Sequence, residues 1–383
     1  MAGRMHILVT SPIPTHPLNH GNRARLNAFC RALKTRGHVI HFVYGGFEGI
    51  TRDQELAMRA AWDHVHIIPA IPGRRRQSHP DHHLIDDWYD DRLDPVVEGI
   101  LARWEVGACI ANYVWFARWL TRVPADIPTF IDTHDIFAGR HALLTAAGIE
   151  KSWFSTTATE EAKGLNRART VIAIQQGEAE SFRKRIDSEV VTIGHLTNPR
   201  DRAIRTPQPS ALLRVGLMAS DNPVNAHMLT ELQAAWQRTP HMDTHCTLVI
   251  AGSAGRLLSD DSGAEILGYV EDAETFFSRL DLLIAPNIGG SGLKIKTVEA
   301  LASGLPVVAT SHAMIGLQAN HDAHTCPDLD ALCAMLAALS RNSTEIHALK
   351  TAGQNSIQSY HAAQEQAFDR LFPPVGVQGE TQA

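Results

Sequence analysis

The chain has 383 residues, 44% hydrophobic and 20% charged, which excludes the disordered, fibrous and low-complexity classes and exceeds the length at which one core usually keeps growing. Two domains are therefore expected. The formal net charge is −6, with 23 Lys+Arg against 22 Asp+Glu in residues 1–190 and 12 against 19 in the rest, a balance that argues against a nucleic-acid partner.

The apolar run Met5 to Thr10, broken by Ser11-Pro12, reads as a buried first strand. A helix over Arg23 to Arg36 follows, with Leu26, Phe29, Cys30 and Leu33 at i, i+3, i+4 and i+7 and Gly37 closing it before the strand Val39 to Tyr44. The alternation continues with the strand Gly107 to Ala111, a helix around Tyr113 to Thr121, the strand Thr129 to Asp132, a helix over Thr157 to Ala168, the strand Thr170 to Ile174, a helix over Glu178 to Ile186 and the strand Val190 to Ile193. Alternating strands and helices predict a parallel sheet covered on both faces.

Pro199, Pro207 and Pro209 mark a composition break. The pattern then restarts with the strand Leu213 to Met218, a helix over Pro223 to Gln237, the strands Cys246 to Ile250, Ile266 to Val270 and Leu282 to Ala285, a helix, and the strand Pro306 to Ala309. Helices over Asp328 to Ser340 and Thr344 to about Phe372 finish the chain. The predicted organisation is a first domain over 1–196, a linker over 197–211, a second domain over 212–355, a helix over 356–372 that crosses back, and a flexible tail over 373–383.

Cys30, Cys109, Cys246, Cys326 and Cys333 have no paired spacing, so buried thiols and a cytoplasmic location are expected. No apolar run approaches the roughly 20 residues of a spanning helix. The short basic run Arg74-Arg75-Arg76 is either a solvated loop or a weak contact to anionic headgroups at the inner face of a membrane.

The segment "PNIGGSGLKIKTVEALASGLPVVAT" carries the most specific chemistry. The strand Leu282 to Ala285 delivers a loop to a helix whose buried face is Ile295, Val298, Leu301 and Ala302. That places Gly289, Gly290 and Gly292 at a strand's carboxyl end, where open parallel sheets bind ligands, beside a helix N-terminus. Lys294 and Lys296 fall in the first turn, where the helix dipole disfavours cations unless an anion is present. The plainer alternative is that both lysines are solvated and Glu299 pairs with Lys296 at i+3. No Walker A sequence and no dinucleotide fingerprint occurs, so a diphosphate attached to a sugar fits better.

"GGSGLKIKTVEALASGLPVVAT" resembles the donor-site segment of retaining family 4 glycosyltransferases, which have the GT-B fold. "ILGYVEDAETFFSRLDLLIAP", "RVGLMASDNPVNAHML" and "ARTVIAIQQGEAESF" are similar to neighbouring parts of the same family, and the resemblance runs from about His6 to Phe372. It implies an α/β protein of two tandem Rossmann-like doubly wound domains facing a cleft. By the match, Lys294 and Lys296 grip a nucleotide diphosphate, Glu299 the ribose, and the Tyr269-Val270 backbone the base. Ser220 lies beside the phosphates, and Gly290, Ser291, Gly292 and Leu293 form the loop around the donor. Ser291 stands where the family commonly has the first of two glutamates, and the loop Ala219 to Asn222 lacks the basic residues often found there.

In the first domain, "FIDTHDIFAGR" puts Asp132, His134 and Asp135 at a strand's carboxyl edge. The family places a His of this kind against the donor sugar; the alternative is a capping cluster in which Asp135 starts the next helix. Gly21 falls where the family often has a glycine pair near the transferred sugar, with Asn22 as its second member. His16 and His20 could contact a ligand, although in a chain with 21 histidines a loop His is more often plain surface, while "HPDHHLIDDWYDD" has metal-ligand residue types without a standard spacing.

The expected function is metal-independent sugar transfer, without a cofactor and with retention of configuration. The sugar passes from a nucleotide-diphosphate donor to a glycan or lipid-linked acceptor, as in polysaccharide biosynthesis. The alternatives are an inactive sugar-nucleotide-binding subunit of a partner enzyme, motivated by Ser291, and a phosphorylase or epimerase on the same fold.

Overall fold

A computed structural model describes residues 3–71, 75–146, 148–149, 153–202, 212–258, 263–270, 273–289 and 292–376. By contacts the chain divides into two units. The first comprises Met1–Ala142, Trp153–Leu196 and Gln364–Ala383; the second comprises Leu143–Ser152 and Thr197–Ala363.

The first unit holds a seven-stranded sheet built from β1 (His6–Ser11), β2 (Val39–Tyr44), β3 (His64–Ile67), β4 (Val106–Asn112), β5 (Thr129–Asp132), β6 (Thr170–Ala173) and β7 (Glu189–Thr192). The strands are parallel throughout, in the order β3-β2-β1-β4-β5-β6-β7. All six residues of β2 are buried, as continuous apolar runs require when helices cover both faces. The second unit holds a five-stranded parallel sheet of β8 (Leu213–Met218), β9 (Cys246–Ala251), β10 (Glu265–Gly268), β11 (Leu282–Ala285) and β12 (Val307–Ala309), in the order β10-β9-β8-β11-β12.

Two expected elements differ. The predicted helix around Tyr113 to Thr121 is a pair of 3-10 turns, Val114–Phe116 and Arg118–Arg122, because Tyr113 leaves β4 at φ 69°, which an α-helix cannot continue. The strand predicted over Ile266 to Val270 ends at Gly268, whose φ of 66° turns the chain, so Tyr269 and Val270 lie in a loop. The helices Arg52–Ala61 and Leu93–Arg103 and the strand β3 were not anticipated.

The last helix, Ser343–Leu371, belongs to the first unit from Gln364 onward. There Phe368 and Phe372 set their rings 4.9 and 5.8 Å from Phe29, and Arg36 bridges Glu365 and Asp369. Val375 N–H donates to the Arg36 carbonyl, so the first residues past Pro373 are held; residues 377–383 of the expected tail lie outside the described ones. Residues 203–211 of the expected linker also lie outside them, while Asp201 pairs with Lys350 within the second unit. All five cysteines are buried and unpaired. No helix among the described residues is long and apolar enough to cross a membrane.

Candidate functional site

In the second sheet the chain moves outward from β8 through β9 to β10, then returns to lay β11 along the other side of β8, pairing Leu282 with Val215 and Leu283 with Gly216. The strand order reverses between β8 and β11. In open α/β sheets ligands bind outside the carboxyl ends of the strands at that reversal. The loops after Met218 and after Ala285 leave from those ends, so the topology brings the neighbourhood of Ser220 and that of Lys294 to one edge.

The loop after β8 is fixed by asparagines. Asn222 caps the helix Pro223–Arg238 by accepting from Asn225 N–H, and its own amide nitrogen lies 3.2 Å from Ser220 Oγ. The Asn225 amide donates to the Ser220 carbonyl at 2.7 Å. Gly252, in the next loop, must be glycine: at φ 100° a Cβ there would lie 2.2 Å from the Ala219 carbonyl oxygen. Its N–H donates to the Gly268 carbonyl, which draws the loop carrying Tyr269 and Val270 to the same edge. The Tyr269 ring is 59% exposed there.

The loop after β11 leads to the helix Ile295–Ala302, whose predicted inner face Ile295, Val298, Leu301 and Ala302 is buried. Lys294 occupies the N-cap, makes no side-chain cap bond, and no acidic residue lies in the first turn. Such a helix start leaves N–H groups and positive dipole character facing out, the electrostatics of an anion site. Lys294 Nζ lies 3.1 Å from the Gly292 carbonyl, and Gly292 has φ 78°. Lys296 Nζ donates to Glu299 Oε2 at 2.8 Å, with both side chains roughly one quarter exposed. That pair is the arrangement the plainer reading gives, and it leaves both groups within reach of solvent. Leu293 is buried and anchors the loop. Gly290 and Ser291 lie outside the described residues.

The first sheet reverses between β1 and β4, and a second cluster sits at the carboxyl ends beside that point. His134 follows β5 at φ 62°, and its ring stacks on Tyr113 with centroids 4.2 Å apart and planes 6° from parallel. Two non-glycine residues at positive φ on neighbouring strand ends are a form of backbone strain that clusters at functional sites. Gly21 opens the helix Gly21–Thr35, and the next residue, Asn22, donates from its amide to Tyr113 Oη at 3.0 Å. The position matched to the second glycine thus carries a side chain that holds the partner of His134.

The tautomer of His134 follows from its neighbours. The Asn112 amide nitrogen donates to the Thr10 carbonyl at 3.0 Å, which turns its Oδ1 toward His134 Nε2, also at 3.0 Å. Oδ1 only accepts, so Nε2 carries the proton and Nδ1 the lone pair. Asp132 Oδ2 lies 3.5 Å from the same Nε2, and Asp132 is bound by Arg25 at 2.6 Å, with both side chains 1% exposed. Burial first, against the opposing pull of Asp132, lowers the His134 pKa to about 4. His134 is therefore neutral at pH 7.

His41 and His324 are likewise held down to about 4, chiefly by burial. A histidine whose pKa is lower folded than unfolded contributes stability that is fully present above about 6.5 and is lost as pH falls from there toward 4, because only the unfolded chain gains the proton in that window. Each such group contributes up to about 3 kcal/mol. Urea midpoints are expected to fall steeply between pH 6.5 and 4; a flat profile would contradict the neutral buried state.

Thr15 Oγ1 and the Asn27 amide lie 2.9 and 3.1 Å from the two ring nitrogens of His16. His20 precedes the helix Gly21–Thr35 and makes no side-chain cap bond. In the His/Asp-rich segment Asp87 accepts from Ser78 and Leu84 N–H, and His83 Nδ1 lies 3.0 Å from the Ser155 carbonyl. Among the described residues no three His, Cys, Asp or Glu groups converge as metal ligands. Arg25, Asn112 and Tyr113 were missed by sequence reasoning; no local pattern marks them.

Residues 210–342, which contain Ser220, Tyr269 and the Lys294–Glu299 segment, match the family model "Glycosyl transferases group 1". The chain is 33% identical over 128 residues to a phosphatidyl-myo-inositol mannosyltransferase of Mycobacterium leprae, a match spanning 31% of this chain and 34% of that protein. Among solved structures, the Anabaena protein Alr3699/HepE in complex with UDP and glucose is similar at a TM-score of 0.64 and 14% identity, covering 96% of this chain and 99% of that one. Sucrose-phosphate synthase of Thermosynechococcus elongatus is similar at a TM-score of 0.67 and 14% identity, with 96% and 99% covered. At these identities the likeness is one of fold. The fold is α/β, with two parallel-sheet domains of the GT-B glycosyltransferase type.

Proposed function

We propose that the chain is a glycosyltransferase that moves a sugar from a nucleotide-diphosphate donor to a glycan or lipid-linked acceptor, with retention of configuration and without a metal. One observation carries the reading. The doubly basic helix start at Lys294, with no acidic residue in its first turn, stands beside the reversal point of the second sheet, inside the segment that matches the group 1 glycosyltransferase model. In this reading Lys294, Lys296 and the first helix amides stabilise the leaving diphosphate as it gains charge, and preorganised donors of that kind lower the barrier without a metal ion. Glu299 takes the ribose hydroxyls, Ser220 lies by the phosphates, and the Tyr269-Val270 backbone receives the base. Gly292 and Leu293 border the donor in this reading, the resemblance adds Gly290 and Ser291 to the same role, and Gly21 admits the transferred sugar.

His134 is read as the donor-sugar contact. With its pKa lowered to about 4 and Nε2–H committed to Asn112, it is too weak a base at pH 7 to deprotonate an acceptor, which favours retention with the leaving phosphate taking the acceptor proton. The neutral lone pair at Nδ1 can still accept a hydrogen bond from a sugar hydroxyl. The mannosyltransferase of Mycobacterium leprae is named for phosphatidyl-myo-inositol, a lipid, which supports a lipid-linked acceptor here. A peripheral place at the cytoplasmic face of a membrane is part of the same proposal.

The test is the split between turnover and nucleotide affinity in His134→Ala. Turnover is expected to fall by roughly a hundredfold, the scale of one lost electrostatic contact at a reacting group. Nucleoside diphosphate affinity is expected to hold. Unchanged turnover would return His134 to a structural role, and a parent protein that binds donors without consuming them would favour the inactive-subunit alternative.

A further inference from the structure

A cavity of about 500 Å³ lies wholly within the first unit, at the carboxyl ends of its strands and apart from His134. Gly45, Gly46 and Phe47 reach it directly after β2, Ala70 and Ile71 after β3, and Phe116 after β4; Trp88 and Asp90 close it. The two glycines are required by its shape. A Cβ on Gly45 would lie 2.0 Å from the Phe116 ring, and one on Gly46, at φ 60°, would lie 2.2 Å from the Ile68 carbonyl oxygen.

The wall is aromatic. Phe47 has its ring 4.9 Å from those of Trp88 and Trp115 and 5.2 Å from that of Trp153. Over this group sits the Arg75 guanidinium, 4.5 Å from the Phe47 centroid, 5.7 Å from Trp88 and 5.8 Å from Trp153. Rings hold a guanidinium by its flat face and leave its N–H edge free, in the geometry that reads a carboxylate or phosphate in bidentate fashion. Among the described residues Arg75 has no carboxylate partner, whereas its neighbour Arg76 lies 3.5 Å from Asp87. Asp90, the acidic residue of the lining, is already bound by Arg92 Nε and Nη2. Among the described residues the cavity therefore presents the Arg75 guanidinium, with no carboxylate paired to it, beside apolar ring faces.

We propose that this cavity is an acceptor subsite for a sugar or polyol bearing an anionic group, with the ring lying along the apolar lining and the anion on the free edge of Arg75. It rests on the reading of the chain as a sugar transferase, and it names the acceptor's chemistry. The anion is a phosphate, as on a lipid-linked acceptor, or a uronate carboxylate, as in an acidic glycan. The basic run that the sequence offered as a solvated loop or headgroup contact thus contributes one residue to a built site.

The test is ligand-observed NMR with a hexose phosphate, a hexuronate and the parent neutral hexose, on the intact protein and on Arg75→Ala and Arg75→Lys. Arg75 is exposed, so both variants are expected to keep the parent's circular dichroism. A charged sugar is expected to bind at least about tenfold more tightly than the neutral one, as one charge-assisted bidentate contact implies. That margin should disappear in Arg75→Ala and return in part in Arg75→Lys; which charged probe binds distinguishes phosphate from uronate. Equal affinity for neutral and charged sugars, an unchanged margin in Arg75→Ala, or no binding of either charged sugar would overturn the proposal. Nucleoside diphosphate binding, measured in parallel, separates the two readings: its absence with charged-sugar binding intact would remove the donor site and leave this subsite standing.

Discussion

Replacing Lys294 and Lys296 together by Ala is expected to remove most nucleoside diphosphate affinity while leaving the second unit folded. A hydrogen bond to a charged group contributes about 1.5–3 kcal/mol, so each lysine alone should cost roughly ten- to a hundredfold in affinity. The fold should tolerate the change, because neither side chain is in the core: the buried face of their helix is Ile295, Val298 and Leu301, and Ala is a better helix former than Lys. The two variants differ in a useful way. Lys296→Ala also removes the 2.8 Å ion pair that offsets the Glu299 carboxylate near the expected diphosphate, so it should cost more than Lys294→Ala. Calorimetry with a nucleoside diphosphate and the matching monophosphate decides it. If the double variant binds as the parent does, the lysines are the solvated pair of the plainer reading.

The largest stability effect is expected in the first unit, at Asp132. Its carboxylate receives Nε and Nη2 of Arg25, and Arg25 Nη2 also donates to the Ile193 carbonyl at 2.8 Å, tying the first helix to β5 and to the end of β7. Both side chains are 1% exposed. Removing one member of a buried pair strands the other charge, at a cost of about 3–5 kcal/mol, whereas replacing both by apolar residues of similar volume is often neutral. Asp132→Asn is therefore expected to lower the unfolding free energy by that amount, and Arg25→Met/Asp132→Leu to recover much of it. Denaturant melts of the three proteins check this. A single variant as stable as the parent would mean that the pair contributes little to the fold.

The sheets were legible because their strands are short apolar runs between turn residues: β8 and β11 have the predicted bounds, and the loop leading to Lys294 is a local pattern. The strand β3 was missed because its sequence His-Val-His-Ile alternates in a histidine-rich stretch with no continuous apolar run. The turns after Tyr113 were read as a helix because Val114, Phe116, Trp119 and Leu120 are apolar at nearly helical spacing; one positive φ at Tyr113 decides otherwise. What holds His134 was not legible at all. Asn112 is 22 positions away and Arg25, which binds Asp132, lies 107 positions from it, contacts made only when β1, β4 and β5 align. The same holds for Arg75, whose aromatic partners Phe47, Trp88 and Trp153 come from three separate loops.

The central claim, sugar transfer from a diphosphate donor, is tested most directly by time-resolved proton NMR of the parent protein with a panel of nucleotide sugars, each offered with neutral and anionic acceptors in buffer containing a chelator. The anomeric signal of at least one donor is expected to decay, a glycoside of the same anomeric configuration to appear first, and Lys294→Ala/Lys296→Ala to slow both. Consumption of no donor, decay unaffected by the two lysines, or a first-formed product of opposite configuration would contradict it.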